Sequence, residues 1–393
     1  MTVAKSTRDL RIDLFRGLAL YMIFSDHINL NIVRLFTYHR FGFSDASEIF
    51  IFLSGISCSL LYGKILSREG FAAAQRRAAY RVLQIYVGYV AVVLASFAVT
   101  AAFRNVLGWD YITENEFALL MQAPGRALLG ALGLYYTPQY VDILPVYMAL
   151  VAAAPLVIYG LRRHIAVTAA MSTALWVVAT FSSHLEVPNL VPSGVSGYNP
   201  FSWQFLFCIG LGVGEHCYAG GRSFRPVGWV NAVCWLVVAA NLLARVLYDF
   251  GRFHEPWHVE FLDAVHEASG GQIEGFFRLT HFLAVAYLVA GLVRPQAAAV
   301  QSVWLRPLVW CGQHSLEVFC LGVLLSEFGC VYFHAVQPAP IHQLAVNFAG
   351  WTAMSALALY MGVRRKRRVA ASTAATVPAG VQVDAGHRRS AVA

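Results

Sequence analysis

The sequence predicts an all-α, polytopic membrane protein, a bundle of about ten transmembrane helices. Three observations lead there. The 393-residue chain is 58% hydrophobic and only 13% charged, whereas soluble domains are nearer 45–50% apolar and about 25% charged. Its mean hydropathy is +0.57. Its apolar residues fall into stretches long enough to cross a bilayer, and 26 Phe, 18 Tyr and 9 Trp suit the aromatic belts at membrane interfaces.

A span needs about 20 mostly apolar residues. Ten segments meet this, near 12–34, 46–65, 80–103, 141–161, 165–183, 200–218, 228–248, 276–293, 308–326 and 343–363. The first carries Asp26-His27 and no small-residue cleavage site, so it reads as a retained span rather than a signal peptide. Residues 115–136 are apolar but broken at Pro124-Gly125-Arg126, which suits a re-entrant or interfacial hairpin. Residues 1–368 form the membrane domain. The Ala-, Val-, Ser- and Gly-rich segment 369–393 reads as a disordered cytoplasmic tail.

Charge gives the orientation. Alternate flanks are basic: Lys5, Arg8 and Arg11; Lys64, Arg68, Arg76, Arg77 and Arg81; Arg162 and Arg163; Arg222 and Arg225; Arg294 and Arg306; Arg364 to Arg368. The other flanks are more acidic, the loop at 249–275 above all, with Arg34 and Arg40 as the main exceptions. The positive-inside rule places both termini in the cytoplasm. The net charge of +8 is therefore topology, not a nucleic-acid surface. The seven cysteines show no CxxC and no Cys/His ligand spacing, so neither a disulfide framework nor a metal site is expected.

Ionisable groups inside spans are costly, roughly 2.5–3.5 kcal/mol each at a helix centre, and usually mark function. His27 lies sixteen residues beyond Arg11, ~24 Å above the inner face by helix rise. Glu48 lies sixteen residues before Lys64, and His281 thirteen before Arg294, giving ~24 and ~20 Å. Asp26, Asp45, Asp142 and Gln204 share this outer layer, with Trp203 beside Gln204. A neutral histidine there can take a proton from an alcohol while a carboxylate orients it. Neighbouring residues on a helix diverge by about 100°, so Glu48 or Asp45, rather than Asp26, is the expected partner of His27. His281 is a further candidate in the catalytic layer. Asp26, Asp142, Trp203 and Gln204 are candidates to hold the acceptor. At the inner face, Arg11, Arg16, Arg76 and Arg77 are candidate phosphate ligands, because guanidinium forks match phosphate oxygens. His314, ~12 Å above Arg306 by the same rise, joins them.

At these residues the chain resembles the OpgC family, membrane proteins associated with succinyl modification of osmoregulated periplasmic glucans, within a larger superfamily of multi-span acyltransferases. The resemblance lies in RDLRIDLFRGLALYMIFSDHI at 8–28, FGFSDASEIFIFLSG at 41–55 and YTPQYVDILPVYMALVAAAP at 136–155. It continues in NPFSWQFLFCIGLGVG at 199–214, LTHFLAVAYLV at 279–289 and CGQHSLEVFCLGV at 311–323. It implies O-acyl transfer from cytoplasmic acyl-CoA, of succinyl type, to hydroxyls of a periplasmic glucan, alongside the proteins that make the glucan. Arg11 and Arg16 match its first-span basic motif, His27 its candidate catalytic histidine, and Glu48 and His281 fall in motif blocks. Direct attack on the thioester and an acyl-His27 intermediate both remain open. A transporter exporting a glycan or acyl precursor is the rival reading, since intramembrane Asp, Glu and His also build proton relays.

Overall fold

The computed structural model describes residues 9–138, 140–182, 185–191, 194, 196–218, 224–251, 275–293 and 298–376. Among these the regular elements are helical. They comprise α1 (Leu10–Asp26), α2 (Ala46–Glu69), α3 (Phe71–Ala102), α4 (Arg104–Glu114), α5 (Ala118–Gln122), α6 (Pro124–Leu132), α7 (Ile143–Arg163), α8 (Ile165–Phe181), α9 (Pro200–Val213) and α10 (Gly228–Gly251). Then follow α11 (Phe276–Leu292), α12 (Arg306–Gln313), α13 (Ser315–Val336) and α14 (Pro340–Thr376).

Each of the ten expected segments contains a helix, but among the described residues six helical stretches are long and apolar enough to cross a bilayer: α2, α3, α7, Gly228–Asp249, α13 and Pro340–Arg368. This is a membrane protein. Helices α8 and α11, of 17 residues each, and α9, of 14, are shorter. The 115–136 hairpin contains α5 and α6, of five and nine residues, well short of a crossing. It packs on α3 through Tyr89, whose hydroxyl donates to the Ala131 carbonyl at 3.1 Å. The acidic outer loop falls mostly outside the described residues, as do residues 377–393; α14 runs on to Thr376.

Local chemistry explains the helix ends. Asp45 caps α2 by accepting from the Ser47 amide, while Glu48 accepts from the Asp45 amide, a reciprocal capping box. Gly70, at φ +85°, ends α2 in a backbone conformation that side chains disfavour. Asn199 caps α9 with Pro200 in the first turn. The first span differs from expectation. Helix α1 stops at Asp26 instead of running to about 34, because Leu30 turns to φ +60°. Asn31 then accepts from the Val33 amide and exchanges hydrogen bonds with Asn347 of α14. His27 therefore sits at a helix end, not within a continuous span.

The core is assembled on close crossings. Helix α1 packs chiefly against α12, nearly 300 residues away. A side chain at Gly17 would overlap the Leu308 carbonyl, and one at Gly312 the Asp13 carbonyl. Gly55 of α2 and Gly210 of α9 face the Phe207 and Phe52 carbonyls in the same way. Small residues allow such approach where no hydrophobic force drives helices together in lipid. Gly17→Leu should separate α1 from α12 and cost at least about 1–3 kcal/mol, the usual penalty of overpacking. Thermal unfolding in detergent checks this, with the exposed Leu18→Ala as the unaffected control.

Candidate active site

The helices bring their chemistry to two ends. At one end lie the starts of α2, α7, α9, α11 and α14 and the close of α1. There Arg278 of α11, only 4% exposed, binds both capping carboxylates. Its Nη2 is 2.9 Å from Asp45 Oδ2 and 2.6 Å from Glu48 Oε1, and its Nε donates to Glu48 Oε1 at 2.7 Å. The guanidinium lies 5.4 Å from the ring centre of Trp203, which is fully buried and packs on Tyr198. Burial alone would raise the Asp45 carboxyl, but the Arg278 charge and the hydrogen bonds it accepts hold it below the usual range. Glu48 and Asp45 were expected to orient His27; they are instead engaged by Arg278 and by the α2 cap. The D-x-x-E spacing is a capping-box signature, and Arg278 lies three residues before His281, on the same helix face. Both signals were present in the sequence.

His27 closes α1, its amide donating to the Ile23 carbonyl at 3.0 Å. Its ring lies 4.1 Å from that of Tyr140, tilted by 36°, and its backbone carbonyl accepts from Cys330 Sγ. Its Nδ1 is buried and meets no hydrogen-bond partner among the described residues. Charges on Arg34 and Asp45 lie within electrostatic reach of the imidazole. Tyr140, absent from the expected site, thus supports the ring, and its hydroxyl is 3.4 Å from Asn29 Oδ1.

The other outer-layer candidates are held separately. Asp26 accepts from Thr37 Oγ1 at 2.6 Å and lies 3.3 Å from His39 Nδ1, tying down the loop after α1. His281, 1% exposed, has Nδ1 2.7 Å from the Ser44 hydroxyl, which in turn meets Tyr38. The Ser44 amide also donates to that nitrogen at 3.4 Å. Gln204 exchanges hydrogen bonds with Ser172 and joins α9 to α8. Trp203 seats Arg278. Asp142 is buried at the start of α7. Three of the four acceptor candidates, Asp26, Trp203 and Gln204, are thus engaged by partners within the protein.

Asp142 and Glu116 are unusual carboxyls. Burial pushes Asp142 up to about 7, with Glu116's charge adding to the rise, and burial pushes Glu116 up to about 7. A carboxyl raised on folding makes ionisation oppose the fold. The penalty grows as pH climbs from the ordinary aspartate value of 3.8 to about 7, and is constant above. Asp142→Asn should therefore stabilise the protein at pH 8 and much less at pH 5, as read by thermal unfolding at the two values.

At the other end, where α2 and α7 finish, a cavity of about 690 Å³ is lined by Arg16, Arg77, Arg81, Arg364, Arg365, Arg368 and His314, with one carboxylate, Glu317. Three of the expected phosphate ligands, Arg16, Arg77 and His314, meet here. Arg11 does not: its guanidinium binds Asp9 and the Val293 carbonyl. Arg76 is exposed outside the lining. Arg16 is 8% exposed and donates to the Leu53 carbonyl and Ser57 hydroxyl at 2.9 and 2.7 Å. Its lining also includes Ser54 and Tyr147. Ser54 is six residues from Glu48, ~9 Å along α2. Phe50, between them on α2, packs on Tyr147 and Phe319. The lining of this cavity includes none of His27, Asp45, Glu48 or His281, so it does not by itself join the two sites as expected.

Fold and site together define a polytopic helical membrane protein with a cationic cavity at one end and a buried histidine–carboxylate–arginine layer at the other. The family model of the OpgC protein matches residues 8–366, nearly the whole chain, and the protein belongs to the OpgC family. Membership points to a role in glucan modification and is consistent with an acyltransferase. Neither the curated proteins nor the solved structures yield a match.

Proposed function

We propose that the protein is a membrane O-acyltransferase that moves an acyl group, of succinyl type, from cytoplasmic acyl-CoA to hydroxyls of a periplasmic glucan. The observation that carries this reading is the pairing of an arginine-lined cavity with a histidine whose buried Nδ1 has no partner among the described residues, at opposite ends of one helix, α1. Arg77, Arg81, Arg364, Arg365 and Arg368 at the cavity mouth suit the phosphates of CoA. Arg16, buried deeper, faces the pantetheine arm. From Arg16 to His27 is eleven residues, ~16 Å of helix, so the arm reaches the outer layer once Phe50 and Phe319 part. Both termini then lie in the cytoplasm, as the positive-inside pattern requires.

His27 takes the proton of a glucan hydroxyl as its oxygen attacks the thioester carbonyl. Collapse of the tetrahedral adduct breaks the carbon–sulfur bond, and the thiolate of CoA recovers the proton from the imidazolium. Tyr140 holds the ring in place, and Arg278 keeps the start of α2 rigid beside it. Arg16→Gln and Arg77→Gln should each raise the KM for acyl-CoA about tenfold, the worth of one charge-assisted contact. Release of free CoA thiol by purified protein supplied with glucan measures this. Glucan movement without thiol release would instead support a transporter.

A further inference from the structure

The two arginines that break the positive-inside pattern, Arg34 and Arg40, both line one cavity of about 640 Å³ beside the end of α1, together with Arg245, His39, Asn31 and Gln343. The first turn of α14, beginning at Pro340, also borders it and adds the positive end of a helix dipole. Arg40 and Arg245 share one carboxylate, Asp249, at 3.1 and 3.4 Å, and His39 lies 3.3 Å from Asp26. Among the described residues no carboxylate closes on Arg34. Arg34 lies seven residues beyond His27, and the lining begins at Leu30, three residues beyond it.

We propose that this cavity is an anion site that receives the free carboxylate of a dicarboxylic acyl group while its thioester carbonyl lies beside His27, with Arg34 as the residue that reads the charge. The inference rests on the acyl-transfer reading above and names what selects the donor. In a four-carbon dicarboxylic acyl group the carboxylate is three carbon–carbon bonds from the reacting carbonyl. Among the cations that line the cavity, Arg34 is the one nearest His27 along the chain. An uncharged acyl group of the same length would leave the Arg34 guanidinium without its anion in a half-buried site, a larger loss than a missing methylene. Arg34 makes no bond to the reacting atoms; it is a positioning and specificity residue.

The test uses the full chain in nanodiscs with glucan acceptor and compares succinyl-CoA with butyryl-CoA, its uncharged counterpart. The wild type should favour succinyl-CoA in kcat/KM. In Arg34→Gln that preference should fall about tenfold or more, as expected for one charge-assisted contact, and Arg34→Lys should restore part of it. An equal loss with both donors would mark Arg34 as merely structural and overturn the proposal, as would an unchanged preference. Binding is read separately by thermal shift with succinate and butyrate. If no acyl-CoA releases thiol, the acyl-transfer reading falls; succinate protection of wild type but not of Arg34→Gln would still uphold the anion site. Equal protection by butyrate would overturn it.

Discussion

His27→Ala is expected to abolish glucan acylation while leaving the protein in the membrane at wild-type levels. General base catalysis is worth about 10²–10⁴ in rate. His281, held through Nδ1 by Ser44 beneath Tyr38, belongs to a separate hydrogen-bonded group. The structural cost should be small, because the buried Nδ1 of His27 has no hydrogen bond to lose. What is lost is packing on Tyr140, a contact worth about 0.5–1.5 kcal/mol between rings. Acyl transfer from radiolabelled acyl-CoA, normalised to protein level, measures the effect. A fall of less than tenfold at matched levels would remove His27 from the chemistry.

Arg278→Gln should be the most damaging substitution to the fold. Arg278 is the cation between two carboxylates, and Glu48 is fully buried. Breaking a buried ion pair from one side typically costs about 3–5 kcal/mol, because a charge is left in a medium that solvates it poorly. Here the start of α2 would loosen as well, since the same carboxylates form its cap. The expected readout is a large drop in thermal midpoint and in folded yield. The double change Glu48→Gln with Arg278→Gln should recover part of the loss, since fewer bare charges remain. If Arg278→Gln alone unfolds like wild type, the triad is not holding this end together.

Much of the fold was legible because its signals are local. Apolar length marked the long helices, Pro124-Gly125-Arg126 marked the break within 115–136, and the alternation of Lys and Arg marked the two ends. The shared depth of His27, Asp45, Glu48 and His281 was legible too, because helix rise converts sequence distance into height. Their partners were not. Which side chain meets which depends on crossings between distant segments, such as Gly17 on Leu308 and Gly312 on Asp13, and no periodicity encodes those. Depth placed Glu48 level with His27; the crossing of α11 gave Glu48 to Arg278. The early end of α1 was equally hidden. Hydropathy runs on through Leu30 and Ile32, whereas the Asn31–Asn347 pair that fixes the turn joins residues 316 apart. At the inner end, five residues separate Arg11 from Arg16, yet one is tied to Asp9 and Val293 and the other faces the cavity.

The central claim is acyl transfer to a periplasmic glucan through His27. Its most direct test is mass spectrometry of glucans from cells lacking the gene, complemented with wild type or with His27→Ala. The account predicts an acyl mass increment, of succinyl size, that wild type restores and His27→Ala does not at equal protein level. Glucans of unchanged mass in all strains would contradict it.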